Sequence, residues 1–385
     1  MQLFTTRRGF LKQTSLVTAG LPVASNTSAQ TARGPNGKVR VGIIGCNGRG
    51  MNHTQTPTHP RLMKIPHILL AGILCFQSLP AADLRIGVIG CDTSHVPAFT
   101  ETFNNPDAKD HVPGGKVVAA FKGGSADLPA RATRVEGYAA TLAGKYNVTF
   151  YDSIEALCAN VDAVLLASVD GRVHLAQAQP VIKACKPLYI DKPMAASLPD
   201  VLEIFRLAKE ARVPVWSSSS LRYGKDTQAV RGGLIGKVQS AETYSPCAVE
   251  EHHPELFWYG IHGVESLFTV MGTGCQTVRR GLAADGAIEV TGIWSGGRKG
   301  IYREDLAKKY HGLAKGEKGE APVGSYDGHG ALAEQIIRFF RTGVAPISPE
   351  ETIEIFAFMT AAAESKHLGG EPVKISDVMA KVRPK

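Results

Sequence analysis

Leu84–His95 reads LRIGVIGCDTSH. Arg85–Ile89 is an apolar run that ends at Gly90, and a helix opens over Val96–Asn104. A short apolar strand, a glycine turn and a helix start form the opening unit of a parallel α/β sheet. The chain writes this opening twice, because Val39–Gly50 reads VRVGIIGCNGRG. Only the second copy is followed by enough chain to build a domain. Residues 1–82 and 83–385 therefore need separate arguments, and the folded body is expected to begin near Asp83.

Each copy follows its own leader. Thr6-Arg7-Arg8-Gly9-Phe10-Leu11-Lys12, then apolar Leu16–Ala24 and small Ser25–Ala29, has the layout of a twin-arginine export signal. Met63-Lys64, apolar Ile65–Leu79 and Pro80-Ala81-Ala82 resemble a general secretory signal. That apolar core is shorter than the roughly 20 residues of a membrane span, so no integral span is expected in the mature protein. The expected location is exported, periplasmic. Two leaders in series fit either an in-frame joining of two related exported proteins or an upstream start set too early. In both accounts residues 1–62, a leader plus an orphan strand, are expected to be disordered, and 63–82 form a second signal-like segment.

Charge divides the chain at the same place. Nine of the 43 Lys and Arg, and none of the 35 Asp and Glu, fall in residues 1–82, which leaves 34 basic against 35 acidic residues in the body. The net charge of +8 is a leader effect. It gives no reason to expect nucleic acid or anionic membrane as partners. Five of the seven cysteines lie in the body without a C-x-x-C pair, which is neither a zinc nor a disulfide framework.

From residue 84 to about 219, apolar runs alternate with helical stretches. Val161–Ala167 is near-continuously apolar, as in a strand buried on both faces, and Leu198–Ala211 carries apolar residues at 201, 202, 205 and 208. This alternation predicts a doubly wound parallel sheet, a Rossmann-like domain over residues 83–219. From Leu221 strand-like runs come in succession, with helices at Pro254–Met271, Gly328–Arg341 and Pro349–Leu368. That order predicts an α+β domain over 220–385 with a mostly antiparallel open-faced sheet. Lys308–Ser325, rich in Gly and Lys, is expected to be a mobile surface loop.

The candidate chemistry begins at the first turn. In the dinucleotide fingerprint G-x-G-x-x-G the glycines allow a tight turn and close approach of a pyrophosphate. Here the turn is Gly90-Cys91-Asp92-Thr93-Ser94-His95, with the first glycine alone retained. Asp92 stands where a side chain crowds and repels a pyrophosphate, whereas Thr93, Ser94 and the helix-start amides can bind one. The acid that binds a ribose hydroxyl is missing beyond the second strand, where Lys122 favours a 2′-phosphate or is simply a surface lysine. NADP and NAD both remain open.

Leu188-Tyr189-Ile190-Asp191-Lys192-Pro193 places a lysine at the carboxyl end of a strand, where ligands bind. With these residues the body resembles the Gfo/Idh/MocA family, named for glucose–fructose oxidoreductase and inositol dehydrogenase. Relatives carry Glu-Lys-Pro here, so Asp191 is a conservative departure. The resemblance implies that Lys192 meets the nicotinamide ribose and the reacting hydroxyl, and that Pro193 holds the turn. Ser168 and His174 match a second cofactor segment, Thr-Pro-x-x-x-x-His, in its histidine but not its proline. A third landmark, Asp-x-Gly-x-His-x-x-Asp in relatives, reads Trp258-Tyr259-Gly260-Ile261-His262-Gly263-Val264-Glu265. On a helix, residues i and i+4 share a face. His262 suits acid–base work near neutral pH, but Trp258 replaces its paired acid. Arg222-Tyr223 resembles the family's Arg-aromatic pair at the domain crossover, and Arg222 is read either as a substrate contact or as a hinge salt bridge. No metal is expected from His252-His253 and His262.

The resemblance implies an NAD(P)-dependent oxidoreductase acting on a carbinol carbon of a sugar, cyclitol or polyol. Lys192 and His262 would be catalytic, Arg222, Tyr223, Trp258 and Tyr259 would meet the substrate, and a homo-oligomer is implied. Asp92 and Trp258 also suit a sugar- or glycan-binding protein without redox chemistry. An NAD-assisted glycoside lyase or hydrolase is a third reading.

Overall fold

The computed structural model describes residues 82–382. The orphan strand, the first leader and all of the second except Ala82 lie outside the described residues. The first sheet is built from β1 (Leu84–Ile89), β2 (Gly115–Phe121), β3 (Thr149–Phe150), β4 (Ala163–Leu166), β5 (Leu188–Asp191) and β6 (Val215–Ser218). Helices α1 (His95–Asn104), α2 (Pro129–Tyr146), α3 (Ile154–Ala159), α4 (His174–Lys183) and α5 (Leu198–Ala211) connect them. The sheet order is β3-β2-β1-β4-β5-β6, and every pairing is parallel. This is the doubly wound arrangement, with its switch point between β1 and β4.

Local chemistry explains the elements. All four residues of β4, β5 and β6 are buried, as strands covered by helices on both faces require. Helix α5 starts at Ser197, whose side chain accepts from the Asp200 amide, and buries Leu198, Val201, Ile204 and Ala208 on one face. Gly90 has φ +99°, and a Cβ there would lie 2.5 Å from the Ser168 amide nitrogen. Only glycine allows the β1–α1 turn to approach the β4–α4 loop so closely.

Beyond α6 (Lys225–Arg231) the second sheet runs through β7 (Val238–Ser245), α7 (Ile261–Met271), β8 (Cys275–Leu282), β9 (Ile288–Trp294), β10 (Lys299–Glu304), β11 (His311–Gly316) and β12 (Gly319–Pro322). It closes with α8 (Gly330–Thr342), α9 (Pro349–His367), β13 (Val373–Lys374) and α10 (Ile375–Val382). The strand order is β12-β11-β7-β10-β9-β8-β13. All pairings are antiparallel except β7 with β10. Helix α7 is buried along its whole length and lies against the sheet, with Thr243 Oγ1 donating to the Gly263 carbonyl at 2.8 Å. A Cβ on Gly263 would lie 2.5 Å from the Tyr302 ring, so the helix approaches the strand through a missing side chain.

Three features differ from the sequence-based expectation. Residues 308–325 are not a loop, because most of them form the β11–β12 hairpin paired to β7. Helix α8 packs on the first domain, with Phe339 beside Trp216 at 5.7 Å between ring centres and its apolar face in the same core as Ile86 and Tyr189. Leu256–Gly260 forms a π turn before α7, which breaks the expected i, i+4 register between Trp258 and His262.

Candidate active site

The carboxyl edge of the first sheet gathers Asp191 and Lys192 from the end of β5, His95 from α1, His262 from α7 and His329 from the start of α8. Lys192 follows β5 and is joined to Pro193 by a cis peptide bond. Its Nζ lies 5.3 Å from the Tyr259 ring centre, and no hydrogen-bond partner engages it among the described residues. Burial lowers the ammonium's pKa, and the Asp191 carboxylate opposes that shift. His95, the first residue of α1, reaches across to the end of β5, where its Nδ1 meets Asp191 Oδ2 at 2.5 Å. Burial works to raise the Asp191 pKa, but His95 and Lys192 outweigh it and hold the carboxyl well below its ordinary range.

His262 projects from α7, and its Nδ1 lies 2.7 Å from Ser219 Oγ. Burial, then Lys192 and His95, push its pKa well below the ordinary histidine value. His329, just before α8, stands 4.9 Å from the His95 ring. Burial and then His95 lower its pKa to about 4. Its Nδ1 is buried without a hydrogen-bond partner.

The three imidazoles share a cavity of about 200 Å³, lined by Ser94, His95, Tyr259, His262, Tyr310, Tyr326 and His329 among others. Neighbouring rings make its wall: His329 on Tyr326, Tyr326 on Tyr310, Tyr310 on His262 and His262 on Tyr259, with centres 5.6 to 6.2 Å apart. Tyr259 and Tyr310 also line an outer cavity of about 660 Å³ with Glu304, Asp305 and Lys308. Hydroxyl and imidazole groups converging on a small pocket, with the Lys192 ammonium against the ring of Tyr259, suit a polyhydroxylated ligand and proton transfer.

Several residues expected at the site play other parts. Arg222 is fully buried and donates from Nε to Glu265 at 2.8 Å and from Nη1 to Glu351 at 2.6 Å. It is a hinge ion cluster, not a substrate contact. Glu265 also accepts from Ser218 Oγ and the Ser219 amide, so it is occupied and cannot stand in for the missing acid. Tyr223 packs edge-on against Trp216, with its hydroxyl buried. The π turn carries Trp258 to His253, 4.7 Å away, and Tyr259 takes the place beside His262. His252 and His253 face Glu250, Asp127 and Asp170, and no group able to hold a metal ion occurs among the described residues.

Dinucleotide contacts expected from the sequence divide likewise. Asp92 is fully buried, and its Oδ1 accepts from the Val169 amide at 2.9 Å. Burial raises its pKa. Its carboxyl is thus turned into the protein, against the β4–α4 loop. Ser168 donates to Gln177, and His174 bridges the Ser168 and Met194 carbonyls, so both brace the β4–α4 loop from inside. Lys122 is ion-paired with Glu136 at 2.8 Å. Beyond β2, a cavity of about 440 Å³ opens between Phe121–Ser125, Asp152, Val173 and Gln177. Its place at the carboxyl end of β2, beside a glycine turn and the first turns of α4, fits the adenosine end of a dinucleotide.

The sequence reading missed His329, Tyr310 and Tyr326. The signal was there in part: Tyr326-Asp327-Gly328-His329-Gly330 sets a histidine between glycines at a helix start.

Residues 84–219 match the family model described as oxidoreductase family, NAD-binding Rossmann fold, GFO_IDH_MocA. No curated protein matches the sequence. Among solved structures, myo-inositol dehydrogenase from Lactobacillus casei in complex with NAD(H) and myo-inositol is similar, with a TM-score of 0.61 at 17% identity over 76% of this chain and 97% of that one. Scyllo-inositol dehydrogenase from Lactobacillus casei, with bound NAD(H) and scyllo-inositol, gives 0.60 at 13% over 77% and 100%. An oxidoreductase from Agrobacterium radiobacter in complex with NAD+, L-tartaric acid and magnesium gives 0.59 at 16% over 77% and 99%. At these identities the likeness carries the fold.

Proposed function

We propose, for a chain whose residues 84–219 match the GFO_IDH_MocA family model of an NAD-binding Rossmann fold, that it oxidises or reduces a carbinol carbon of a sugar, cyclitol or related polyol. The observation that carries this reading is the unpartnered Lys192 ammonium at the end of β5, facing Tyr259 beside a pocket of hydroxyl and imidazole groups. Gly90, Thr93 and Ser94 at the first turn, Lys122, Gly123 and Ser125 beyond β2, and Lys192 beyond β5 would hold the dinucleotide. The dinucleotide supplies the hydride acceptor or donor.

The chain's own residues do the rest. Lys192 binds and polarises the reacting oxygen. Tyr259, Tyr310 and His262 offer hydrogen bonds to neighbouring hydroxyls. The aromatic wall excludes water from the reacting carbon. The alternative, a glycan-binding protein, drew on Asp92, the missing ribose acid and Trp258 as a stacking surface, and Trp258 instead packs on His253. Export by one of the two leaders, and pairing of two chains through the open face of the second sheet, belong to the same proposal.

The test is turnover. The purified chain is incubated with NAD+ or NADP+ and a panel of hexoses, inositols and sugar acids, and absorbance at the reduced-nicotinamide band is followed. Turnover that disappears in Lys192→Ala supports the proposal. A chain that binds these compounds but reduces no nucleotide contradicts it.

A further inference from the structure

Three imidazoles meet in the pocket, and they are not equivalent. His262 has Ser219 on its Nδ1, a neutral partner. His329 has no partner on its Nδ1. His95 has a carboxylate, Asp191, at 2.5 Å. An ionised carboxylate can only accept a hydrogen bond, so Nδ1 of His95 carries the proton and Nε2 presents its lone pair. The ring lines the same cavity as His262 and His329, and no hydrogen-bond partner engages Nε2 among the described residues. A carboxylate on the far nitrogen fixes the tautomer, orients the ring and stabilises the imidazolium once it forms. His262 and His329 lack that support, and burial keeps both neutral.

We propose that His95, oriented by Asp191, accepts the proton of the substrate hydroxyl. The dyad occupies two positions where the resembled family has other residues: the last glycine of its fingerprint and the glutamate before Lys-Pro. Trp258 stands where the acid that would pair with His262 is missing, and the dyad supplies the carboxylate–imidazole pair from the opposite wall of the pocket. The inference rests on the oxidoreductase reading. In the oxidative direction the O–H bond breaks and the proton passes to His95 Nε2. The electron pair left on oxygen forms the carbonyl as the carbon gives up its hydride to the oxidised nicotinamide dinucleotide, which is thereby reduced. His95 is the catalytic residue, and Asp191 positions it. The groups facing His95 are Asp191 and Lys192 after β5, His262 from α7, and Tyr326 and His329 before α8.

The substitution His95→Gly restores the fingerprint glycine, so it leaves room for the dinucleotide and removes only the imidazole. The full chain is compared with His95→Gly and Asp191→Asn by pH–rate profile, by nucleotide affinity and by rescue with added imidazole. His95→Gly should lose on the order of 100-fold or more in kcat, as for a missing general base, lose the acid limb of the profile and recover with imidazole. Its nucleotide affinity should hold within about threefold, well under 1 kcal/mol. Asp191→Asn should lower kcat by about tenfold or more with nucleotide affinity held, because the amide no longer fixes the ring's tautomer and orientation. A His95→Gly enzyme that keeps kcat within about threefold, or loses it without rescue while retaining the acid limb, overturns the dyad. A wild-type chain that binds no nucleotide and turns over nothing overturns the oxidoreductase reading itself, so the two failures are distinct.

Discussion

Two cations stand at the ends of neighbouring strands, half-buried Lys192 after β5 and buried Arg222 after β6, and they are held in opposite ways. Arg222 is locked between Glu265 and Glu351 and is 1% exposed. Lys192 has no hydrogen-bond partner among the described residues, only an aromatic face and the nearby charge of Asp191. A cation shared between two carboxylates fixes geometry, and the Arg222 nitrogen left without a partner, Nη2, is itself buried. An unsaturated cation beside a cavity keeps its bonding capacity for whatever enters. The same contrast separates Glu265, which accepts three bonds, from Asp191, which passes its charge to a ring in the pocket.

The contrast is sharpened first by exchanging the effects of the two cations. Lys192→Ala should lower kcat/KM by about 10³-fold, with the melting temperature little changed, measured by steady-state kinetics and calorimetry. Arg222→Ala should do the reverse in kind. It leaves buried Glu265 without a cation and Glu351 with Arg231 alone, which costs on the order of 3–5 kcal/mol in a urea melt. If Arg222→Ala folds normally and loses only activity, the hinge reading is wrong.

A smaller effect comes from pH. The folded pKa of His329 is about 4, below the ordinary 6.5. Above pH 6.5 neither state is protonated and stability is unaffected. As pH falls from 6.5 toward 4 the unfolded chain takes up the proton first, so native stability drains away over that window. Replacing His329 with Gln should remove at most about 3 kcal/mol of that decline, visible as a flatter plot of melting temperature against pH. A slope identical to wild type would place His329 in water rather than in the pocket wall. The smallest effect is at Lys122, whose exposed pairing with Glu136 is worth about 1 kcal/mol or less. Lys122→Ala should change the ratio of NAD+ to NADP+ affinity by less than about fivefold, measured by titration calorimetry. A larger change would mean that Lys122 leaves Glu136 to bind a 2′-phosphate.

The first domain was largely legible because its signals are local. Apolar runs such as Val161–Ala167, a glycine after β1 and the capped face of α5 each sit within one segment. The second half was less legible where pairing comes from a distance. The β11–β12 hairpin is polar and glycine-rich, lacks a period-2 apolar pattern, and owes its order to β7. The π turn at Leu256–Gly260 adds nothing to composition, yet it exchanges Trp258 for Tyr259 at the pocket. Lys192 and His262 were visible as motif residues. The His95–Asp191 pair was not, because its partners are 96 positions apart and both residues were read only as cofactor contacts. Arg222 was ambiguous for the same reason: Glu351, which helps to decide its role, lies 129 positions away.

The most direct measurement is native mass spectrometry of the full chain with NAD+ and with NADP+ in solution. The account predicts one nicotinamide nucleotide per chain, retained when Arg134→Ala loosens the Asp92 carbonyl contact but weakened when Ser94 is replaced with Glu at the start of α1. A chain that stays bare at millimolar nucleotide would contradict an NAD-dependent oxidoreductase and leave the pocket as a binding site alone.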